Sequence, residues 1–297
     1  MEINIENIKK RYGEKIVVND ISFSIEKPGV FGLLGSNGAG KTTTIRMILG
    51  MVQKDSGKIE YNGKNVIREN VNFGYLPEER GIYPKIKVYD QLMYFAKLKG
   101  MDKKKADIEI RKWAKVLKVE EYLFILAEKL SKGNIQKVQF ITAIVHNPEL
   151  IILDEPFSGL DPINSKILKE VIKDLVKEGK TIIMSSHQME AVEEFCDDIL
   201  IMDRGKSVIQ GNLKEIIKRY EPTTLEIVSE DNISEIIKES GNEIEYQNEE
   251  KYLIKITSED EAKNTLNRLL EKNISIAKFE IKKPSLNDIF IEKVGKK

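Results

Sequence analysis

The chain has 297 residues, and its 48 lysines and arginines balance its 48 aspartates and glutamates, which leaves a formal net charge of zero. This balance gives no bulk electrostatic reason to expect nucleic acid as a partner. A single cysteine, Cys196, excludes a disulfide framework and favours a reducing compartment. The most apolar runs, near Val30 and Leu150, fall short of the ~18 residues that suggest a membrane span. We therefore expect a soluble, cytosolic chain, and its length suits about two domains.

The amino-terminal part of the chain is predicted to be mostly β. Residues 3–8 alternate apolar and polar side chains with the period of a half-buried strand, and residues 16–25 show a similar pattern. Between them, Arg11-Tyr12-Gly13 is typical of a turn that carries an aromatic side chain. Residues 58–61, followed by Asn62-Gly63, predict a hairpin strand.

A phosphate-binding loop is embedded in this part. Gly35 to Thr42 fits the pattern G-x-x-x-x-G-K-[ST], with an apolar strand at 30–34 before it and a helix at 43–49 after it. Glycines let backbone N–H groups close around phosphates, and the helix N-terminus adds partial positive charge. A glycine-rich turn without a ligand is the disfavoured alternative, because strand and helix are both in place. The predicted phosphate-binding residues are Ser36, Asn37, Gly38, Ala39, Gly40, Lys41, Thr42 and Thr43. Lys41 would reach the β- and γ-phosphates, and the Thr42 hydroxyl would ligate Mg²⁺.

The middle of the chain changes character and becomes helical over residues 87–147. Apolar stripes between Val88 and Ala96 and between Ile110 and Leu117 predict core-facing helices, and we interpret Trp113 as a packing residue. Apolar strands at 150–153, 181–184 and 199–202 then alternate with helices at 163–177 and 188–195. This alternation predicts a parallel sheet.

Two carboxylates, Asp154 and Glu155, follow the strand at 150–153. Ligand sites of open α/β sheets form at the carboxyl ends of strands. Asp154 would therefore hold Mg²⁺, and Glu155 would orient and deprotonate an attacking water. His187 follows the strand at 181–184 and would reach the γ-phosphate and the same water, with a structural cap as the alternative.

The segment from Leu130 to Asn134 places Ser131 directly before a predicted helix. One interpretation is an ordinary N-cap. The other is a second anion site, in which Ser131 and the helix N-terminus face a γ-phosphate. The residues themselves leave both open.

The pattern restarts around Tyr220. Residues 225–228, 252–256 and 274–281 predict strands, and Ser258 to Glu261 is a capping-box pattern that opens a helix. We therefore predict a first domain over 1–221 and a small α+β domain over 222–297 that carries no catalytic motif.

Jointly, these segments resemble the ATP-binding subunit of ABC transporters over roughly residues 1–220. The phosphate loop, Leu130–Asn134, Leu150–Glu155 and Ser158–Asp161 stand in the family order of Walker A, signature, Walker B and D-loop motifs. The resemblance implies an α/β fold of the ABC-type P-loop NTPases, with a mixed β-sheet core, an antiparallel β part and a helical subdomain. It also implies that Tyr12 stacks on adenine, that Ser131 and Gly133 serve ATP binding, and that His187 is the switch histidine.

Two positions depart from the family pattern. Lys132 and Asn134 replace the first glycine and the glutamine of the usual LSGGQ signature. Glu78 stands where the family carries a glutamine that ligates Mg²⁺ and senses the membrane subunit. A carboxylate also binds Mg²⁺ but adds negative charge near the phosphates. The metal ligands implied by the resemblance are Thr42, Glu78 and Asp154.

The resemblance further implies hydrolysis of ATP, with Mg²⁺, to power a separate transmembrane permease. Two copies, in a homodimer or a heterodimer, would sandwich two ATP molecules, and the permease would hold the chain at the inner face of the cell membrane. The tail from Pro284 to Phe290 resembles that of ATPases serving sodium- or drug-efflux exporters, which implies export.

The sequence disfavours three alternatives to transport. Soluble ABC ATPases of ribosomes usually carry two ATPase domains in one chain, whereas this chain has one set of motifs. DNA-repair and chromosome ATPases contain long coiled coils, and no sustained heptads appear here. A regulatory module without turnover would not need Glu155 and His187.

Overall fold

The computed structural model describes residues 2–65, 72–79 and 81–295. Its contacts divide the chain into two compact units, Met1–Gly211 and Asn212–Lys297. Strands and helices of the first unit, in chain order, are β1 (Ile3–Tyr12), β2 (Lys15–Ile25), β3 (Gly29–Gly35), α1 (Lys41–Ile48), β4 (Ser56–Tyr61), β5 (Lys64–Asn65), β6 (Phe73–Leu76), α2 (Val88–Leu98), α3 (Lys103–Val116), α4 (Lys132–Ile144), β7 (Leu150–Asp154), α5 (Pro162–Lys177), β8 (Thr181–Ser186), α6 (Met189–Phe195), β9 (Asp198–Asp203) and β10 (Lys206–Asn212).

A six-stranded sheet forms the centre of the first unit, with the strand order β10-β9-β3-β8-β7-β6. The pairs β3–β8, β3–β9, β7–β8 and β6–β7 are parallel, as the alternation of strands and helices predicts. All residues of β7 and β8 are buried, which explains the apolar runs at 150–153 and 182–184 within them. Because these strands are parallel, the carboxyl ends of β3, β6, β7 and β8 meet at one edge of the sheet.

A second, antiparallel sheet has the order β2-β1-β4-β5 and confirms the predicted β-rich start of the chain. One hydrophobic core joins the inner faces of both sheets with α1, and Phe23 stacks on Phe31 at 4.6 Å between ring centroids. Helix α1, which begins at the phosphate loop, is thereby held between the two sheets.

Helices α2, α3 and α4 confirm the predicted helical segment. Val88, Ala96 and Ile110 are fully buried, and Trp113 is only 9% exposed, as a packing residue should be. The Asp102 side chain caps α3 by accepting from the backbone N–H groups of its first turn.

The second unit contains α7 (Leu213–Lys218), β11 (Thr224–Val228), α8 (Ser234–Glu239), β12 (Glu243–Gln247), β13 (Lys251–Lys255), α9 (Glu259–Glu271), β14 (Lys278–Lys282) and α10 (Leu286–Val294). Its sheet has the order β12-β13-β11-β14, and residues of α8 and α9 share a core with it. The unit starts before residue 222. Lys283 Nζ donates to the Lys218 carbonyl at 3.0 Å, and Lys293 Nζ lies 5.8 Å from the centroid of the Tyr220 ring.

Two local predictions for this unit were wrong in detail. The last strand begins at Lys278 rather than at residue 274, because the preceding residues close the end of α9, with Ile274 N donating to Leu269 O. Ser258 caps α9, but the Glu261 carboxylate accepts from Thr257 N at 2.7 Å instead of completing a capping box. A reciprocal capping box occurs between Ser285 and Asp288 of α10, which the sequence patterns did not predict.

No helix of the described ranges is both long and apolar enough to cross a bilayer.

Glu226 provides a test of what stabilises the second unit. Glu226 lies on β11 and is only 4% exposed. Its carboxylate forms ion pairs with Lys278, Lys282 and Lys251. Lys278 and Lys282 hold the pKa of Glu226 down to about 2, well below the ordinary 4.5. A depressed pKa contributes stability above pH 4.5, and that contribution is lost as the pH falls towards 2.

We therefore expect Glu226→Gln to lower the free energy of unfolding at pH 7 by on the order of 1 kcal/mol, because water screens the partly exposed lysines. The difference from wild type should shrink between pH 5 and pH 2. Urea unfolding at several pH values measures it, and Glu243→Gln, on the exposed edge strand β12, is the matched control. A pH-independent difference would show that the ion pairs contribute nothing.

Candidate functional site

The phosphate loop has a backbone that only glycine can supply at two positions. Gly35 has φ +148°, and a Cβ there would lie 2.3 Å from the Met202 carbonyl oxygen. Gly40 has φ +105°, and its Cβ would lie 2.6 Å from the Val17 carbonyl oxygen. The loop is therefore clamped between neighbouring strands, and its N–H groups and the start of α1 are presented at the sheet edge.

A cavity of about 210 Å³ lies beside this loop. Its lining residues are Val17, Asn37, Gly38, Ala39, Gly40, Lys41, Thr42, Thr43, Glu78, Asp154 and Glu155. The structure thus brings together the predicted loop and the predicted acidic residues. Ser36 is exposed in the loop and is not part of the lining.

Lys41 is 7% exposed and bends back over the loop. Its Nζ donates to the carbonyls of Gly35 at 2.7 Å and Ser36 at 3.2 Å, and lies 4.0 Å from Glu155 Oε1. Burial lowers the pKa of Lys41, while the charges of Glu155, Asp154 and Glu78 act in the opposite direction. A cation is therefore held within the loop, next to carboxylates across the cavity.

Asp154 and Glu155 come from the carboxyl end of β7 and are both buried. The Ser185 hydroxyl donates to Asp154 Oδ1, whereas Asp154 Oδ2 has no hydrogen-bond partner within the described part of the chain. Glu155 has a left-handed backbone with φ +52°, which is strained for a residue with a side chain. Strain of this kind clusters at functional sites.

His187 lies at the same edge, as predicted, with Nδ1 2.9 Å from Glu155 Oε1. Burial raises the pKa of Glu155, and the contact with His187 and the charge of Lys41 lower it, leaving a net increase. A carboxylate with a raised pKa is a better proton acceptor. The imidazole is about half exposed, so one side of it faces solvent beside the cavity.

The oxygen atoms at this edge suit a hard divalent cation. Thr42, Glu78 and Asp154 all line the cavity, and the buried Asp154 Oδ2, which has no hydrogen-bond partner in the described residues, is an oxygen that could ligate a metal. No cluster of three or more His, Cys, Asp and Glu side chains suited to a metal occurs in residues 2–65, 72–79 and 81–295. Mg²⁺ does not require one, because it is commonly bound through one or two carboxylates together with substrate phosphates.

Ser131 caps α4, with its hydroxyl accepting from Asn134 N at 3.3 Å. Gly133 packs closely against α5, since a Cβ there would lie 3.1 Å from Asn164 Nδ2. Three residues further along, Gln136 Nε2 donates to the Pro156 carbonyl at 3.1 Å. Neither Ser131 nor Gly133 lines the cavity of its own chain.

Tyr12 is half exposed at the end of β1 and is likewise outside the cavity lining. Lys10 Nζ lies 5.4 Å from the centroid of its ring. Asp55 fixes this strand end by accepting from Arg11 N at 2.6 Å and from Lys10 Nζ at 2.8 Å. The ring is therefore available for stacking at the edge of the antiparallel sheet.

Two residues of the site were missed by sequence reasoning. Val17 was assigned only to a strand, but it lines the cavity. Ser185 was not singled out, although it contacts both acidic residues. Period-two alternation could have placed Val17 on one face of its strand. The local sequence does not show that this strand lies beside the phosphate loop.

Comparison with known proteins gives matches over nearly the whole chain. A family model described as "ABC transporter" matches residues 18–158, and one described as "ATP-binding protein DrrA1-3-like, C-terminal domain" matches residues 211–294. The uncharacterized ABC transporter ATP-binding protein YhaQ of Bacillus subtilis is 45% identical over 99% of this chain and 98% of its own length.

More distant similarities are also to ATP-binding proteins of transport systems. The bacitracin transport ATP-binding protein BcrA of Bacillus licheniformis is 31% identical over 99% of this chain and 97% of its own length. A solved structure of the ATP-binding subunit of an ABC transporter is 28% identical, with a TM-score of 0.68 over 74% of this chain and 93% of its own.

Proposed function

The chain belongs to the ABC transporter family of ATP-binding proteins, and from this membership we propose that it hydrolyses ATP, with Mg²⁺, to power a separate transmembrane partner. The observation that carries the proposal is the meeting of Lys41, Asp154 and Glu155 around one cavity at the helix N-terminus. A cation for phosphates, a free carboxylate oxygen for a metal and a proton acceptor are the groups that ATP hydrolysis requires.

Each residue has a distinct role in this proposal. The loop N–H groups and Lys41 Nζ bind the phosphates, which requires Lys41 to exchange its loop carbonyls for phosphate oxygens. Thr42, Glu78 and Asp154 would hold Mg²⁺, which when bound neutralises charge on the phosphates. Glu155 takes a proton from the attacking water, and His187 orients the Glu155 carboxylate. Tyr12 provides a face on which adenine stacks.

The second wall of each nucleotide site is proposed to come from another ATPase subunit, in a homodimer or a heterodimer. Ser131 and Gly133 support this arrangement, because they do not reach the cavity of their own chain. In a partner chain, Ser131 and the N-terminus of α4 would add donors to the γ-phosphate. The cap observed for Ser131 is compatible with this role.

The transmembrane partner is a permease, and we propose that it holds this subunit at the inner face of the membrane during export. The names of relatives support transport: one is a bacitracin transport ATP-binding protein, and the second unit matches a DrrA-like C-terminal domain. They do not support the alternative ATPase of ribosomes or nucleic acid. The longest described helix, α5, has 16 residues, which leaves no long coiled coil of the DNA-repair type in the described residues.

Co-purification tests the proposal most directly. A tagged chain expressed in its own cells should retain a membrane protein after mild detergent extraction, and the complex should hydrolyse ATP. The matched control is a Lys41→Ala chain, which should retain the partner but not the activity. An active chain that instead retains ribosomes, with no membrane protein, would overturn the transport function.

Glu78 gives a second, sharper test of the metal ligands. We expect Glu78→Gln to keep ATPase activity within about tenfold, because either side chain offers an oxygen to Mg²⁺. Glu78→Ala should shift the Mg²⁺ dependence of activity to higher concentration. The neighbouring, exposed Glu79→Ala is the matched control. An unchanged Mg²⁺ titration in Glu78→Ala would make Glu78 a loop residue only.

A further inference from the structure

We propose that Ser185 is a positioning residue that sets both acidic side chains of the site, leaving one oxygen of Asp154 free for Mg²⁺ and holding the backbone of Glu155. This inference rests on the proposed ATPase function. Ser185 is not among the residues that line the cavity beside the phosphate loop, so its effect passes through its neighbours.

The register of the sheet places Ser185 beside the acidic pair. Strands β7 and β8 are parallel neighbours, and Asp154 is aligned with Ser185. Ser185 is fully buried, so water does not compete for its hydroxyl. Its Oγ donates to Asp154 Oδ1 and accepts from Glu155 N at 3.3 Å, while its own carbonyl accepts from the same N–H at 3.2 Å.

The hydrogen bond from the Ser185 hydroxyl makes the two carboxylate oxygens of Asp154 different in their bonding. Oδ1 is engaged by Ser185, and Oδ2 is buried without a partner among the described residues. A buried carboxylate oxygen without a partner is costly unless a cation or proton reaches it. The bond to Ser185 also fixes the rotation of the carboxylate, so that Oδ2 is the oxygen that remains.

The same serine supports the strained backbone of Glu155. A left-handed conformation persists in a residue with a side chain only when its surroundings hold it. The Glu155 N–H is shared between the carbonyl and the hydroxyl of Ser185, which ties this peptide to β8. Loss of the hydroxyl therefore loosens the carboxylate that binds the metal and the peptide that carries the general base.

Two other hydroxyls of β8 make different contacts from that of Ser185. Ser186 Oγ accepts from Gln188 N at 2.9 Å and serves the turn that leads to His187. Thr181, at the opposite end of β8, is also buried, but its hydroxyl has no hydrogen-bond partner in the described residues. Thr181→Val is thus a matched control that removes a buried hydroxyl from the same strand away from the site.

The test compares the affinity of a fluorescent ATP analogue in Mg²⁺ with its affinity in EDTA, for wild type, Ser185→Ala, Ser185→Cys and Thr181→Val. The ratio of the two affinities measures what the metal adds to binding. Hydrogen-bond partners of metal ligands typically contribute about 10- to 100-fold to metal affinity or activity. We expect Ser185→Ala to lower the ratio about tenfold or more, with EDTA affinity nearly unchanged, and Ser185→Cys, a weaker donor, to lie between.

ATP hydrolysis should be measured on the same proteins. For Ser185→Ala, the factor by which kcat falls should be larger than the factor by which KM changes, because Glu155 is displaced as well. Equal affinity ratios in Ser185→Ala and Thr181→Val would overturn the inference. If Ser185→Ala does not fold, Ser185→Cys decides by the same criterion. A wild-type chain that binds no ATP in Mg²⁺ would overturn the proposed function instead, so the two failures are distinguishable.

Discussion

Glu155→Gln is expected to bind MgATP as wild type does but to hydrolyse it slower by about two orders of magnitude or more. Glutamine has the same shape as glutamate but cannot accept the proton of the attacking water, and a positioned general base contributes about 10²- to 10⁴-fold. The raised pKa of Glu155 and its contact with His187 support the proposed role of Glu155 as the proton acceptor of the site. Steady-state phosphate release and nucleotide binding, measured separately, check both halves of this expectation.

Glu149→Gln is the matched control, because Glu149 is an exposed residue that directly precedes β7, at the opposite end from the site. It should hydrolyse ATP at the wild-type rate. Glu155→Gln should also accumulate as an ATP-bound dimer in gel filtration, because unhydrolysed ATP would stay between the two proposed subunits. Turnover near the wild-type rate would remove Glu155 from the role of general base.

Mixing Lys41→Ala with Ser131→Arg is expected to restore activity that each variant lacks alone. Lys41→Ala lacks the cation that binds phosphate but keeps an intact Ser131. Ser131→Arg keeps Lys41 but places a bulky side chain against the nucleotide site of its partner. In a heterodimer, one site carries both lesions and the other carries neither. Random pairing at equal amounts makes roughly half of the dimers heterodimers, which gives roughly a quarter of the wild-type number of intact sites.

Titration of one variant into the other at fixed total protein measures this recovery, after subunit exchange has been shown. Lys41→Ala mixed with a chain that carries both substitutions is the control, because no pairing of these chains forms an intact site. Absence of recovery with heterodimer present would mean that the site is not shared in this way. Ser131 would then be an N-cap and nothing more.

The phosphate loop could be predicted because its chemistry is local. Gly35, Gly40 and Lys41 lie within one short segment, and the flanking strand and helix are visible in the apolar pattern. Asp154 and Glu155 could be predicted because the carboxyl end of a buried parallel strand is a place where ligands bind. Their meeting with Lys41 follows from the parallel sheet, which the alternation of strands and helices indicated.

Ser185 could not be predicted, because its role depends on the register between two strands that are separated in the chain by a loop and a helix. The start of the second unit was placed too late for a related reason. Helix α7 is linked to the carboxyl-terminal segment by contacts of Lys218 and Tyr220 with residues more than 60 positions away. Local pattern does not encode such partners.

The packing of α4 has a consequence for cooperativity. Its first turn, which carries Ser131, would face the nucleotide of the other subunit, while Gln136 holds the carbonyl of Pro156, the residue next to Glu155. Gly133 sits close against Asn164 at the start of α5, so this turn and the segment after Glu155 are packed together. Binding of nucleotide at one site would then change the position of the general base at the other site. Two sites built this way would hydrolyse ATP in a coupled manner, either alternately or together, rather than independently.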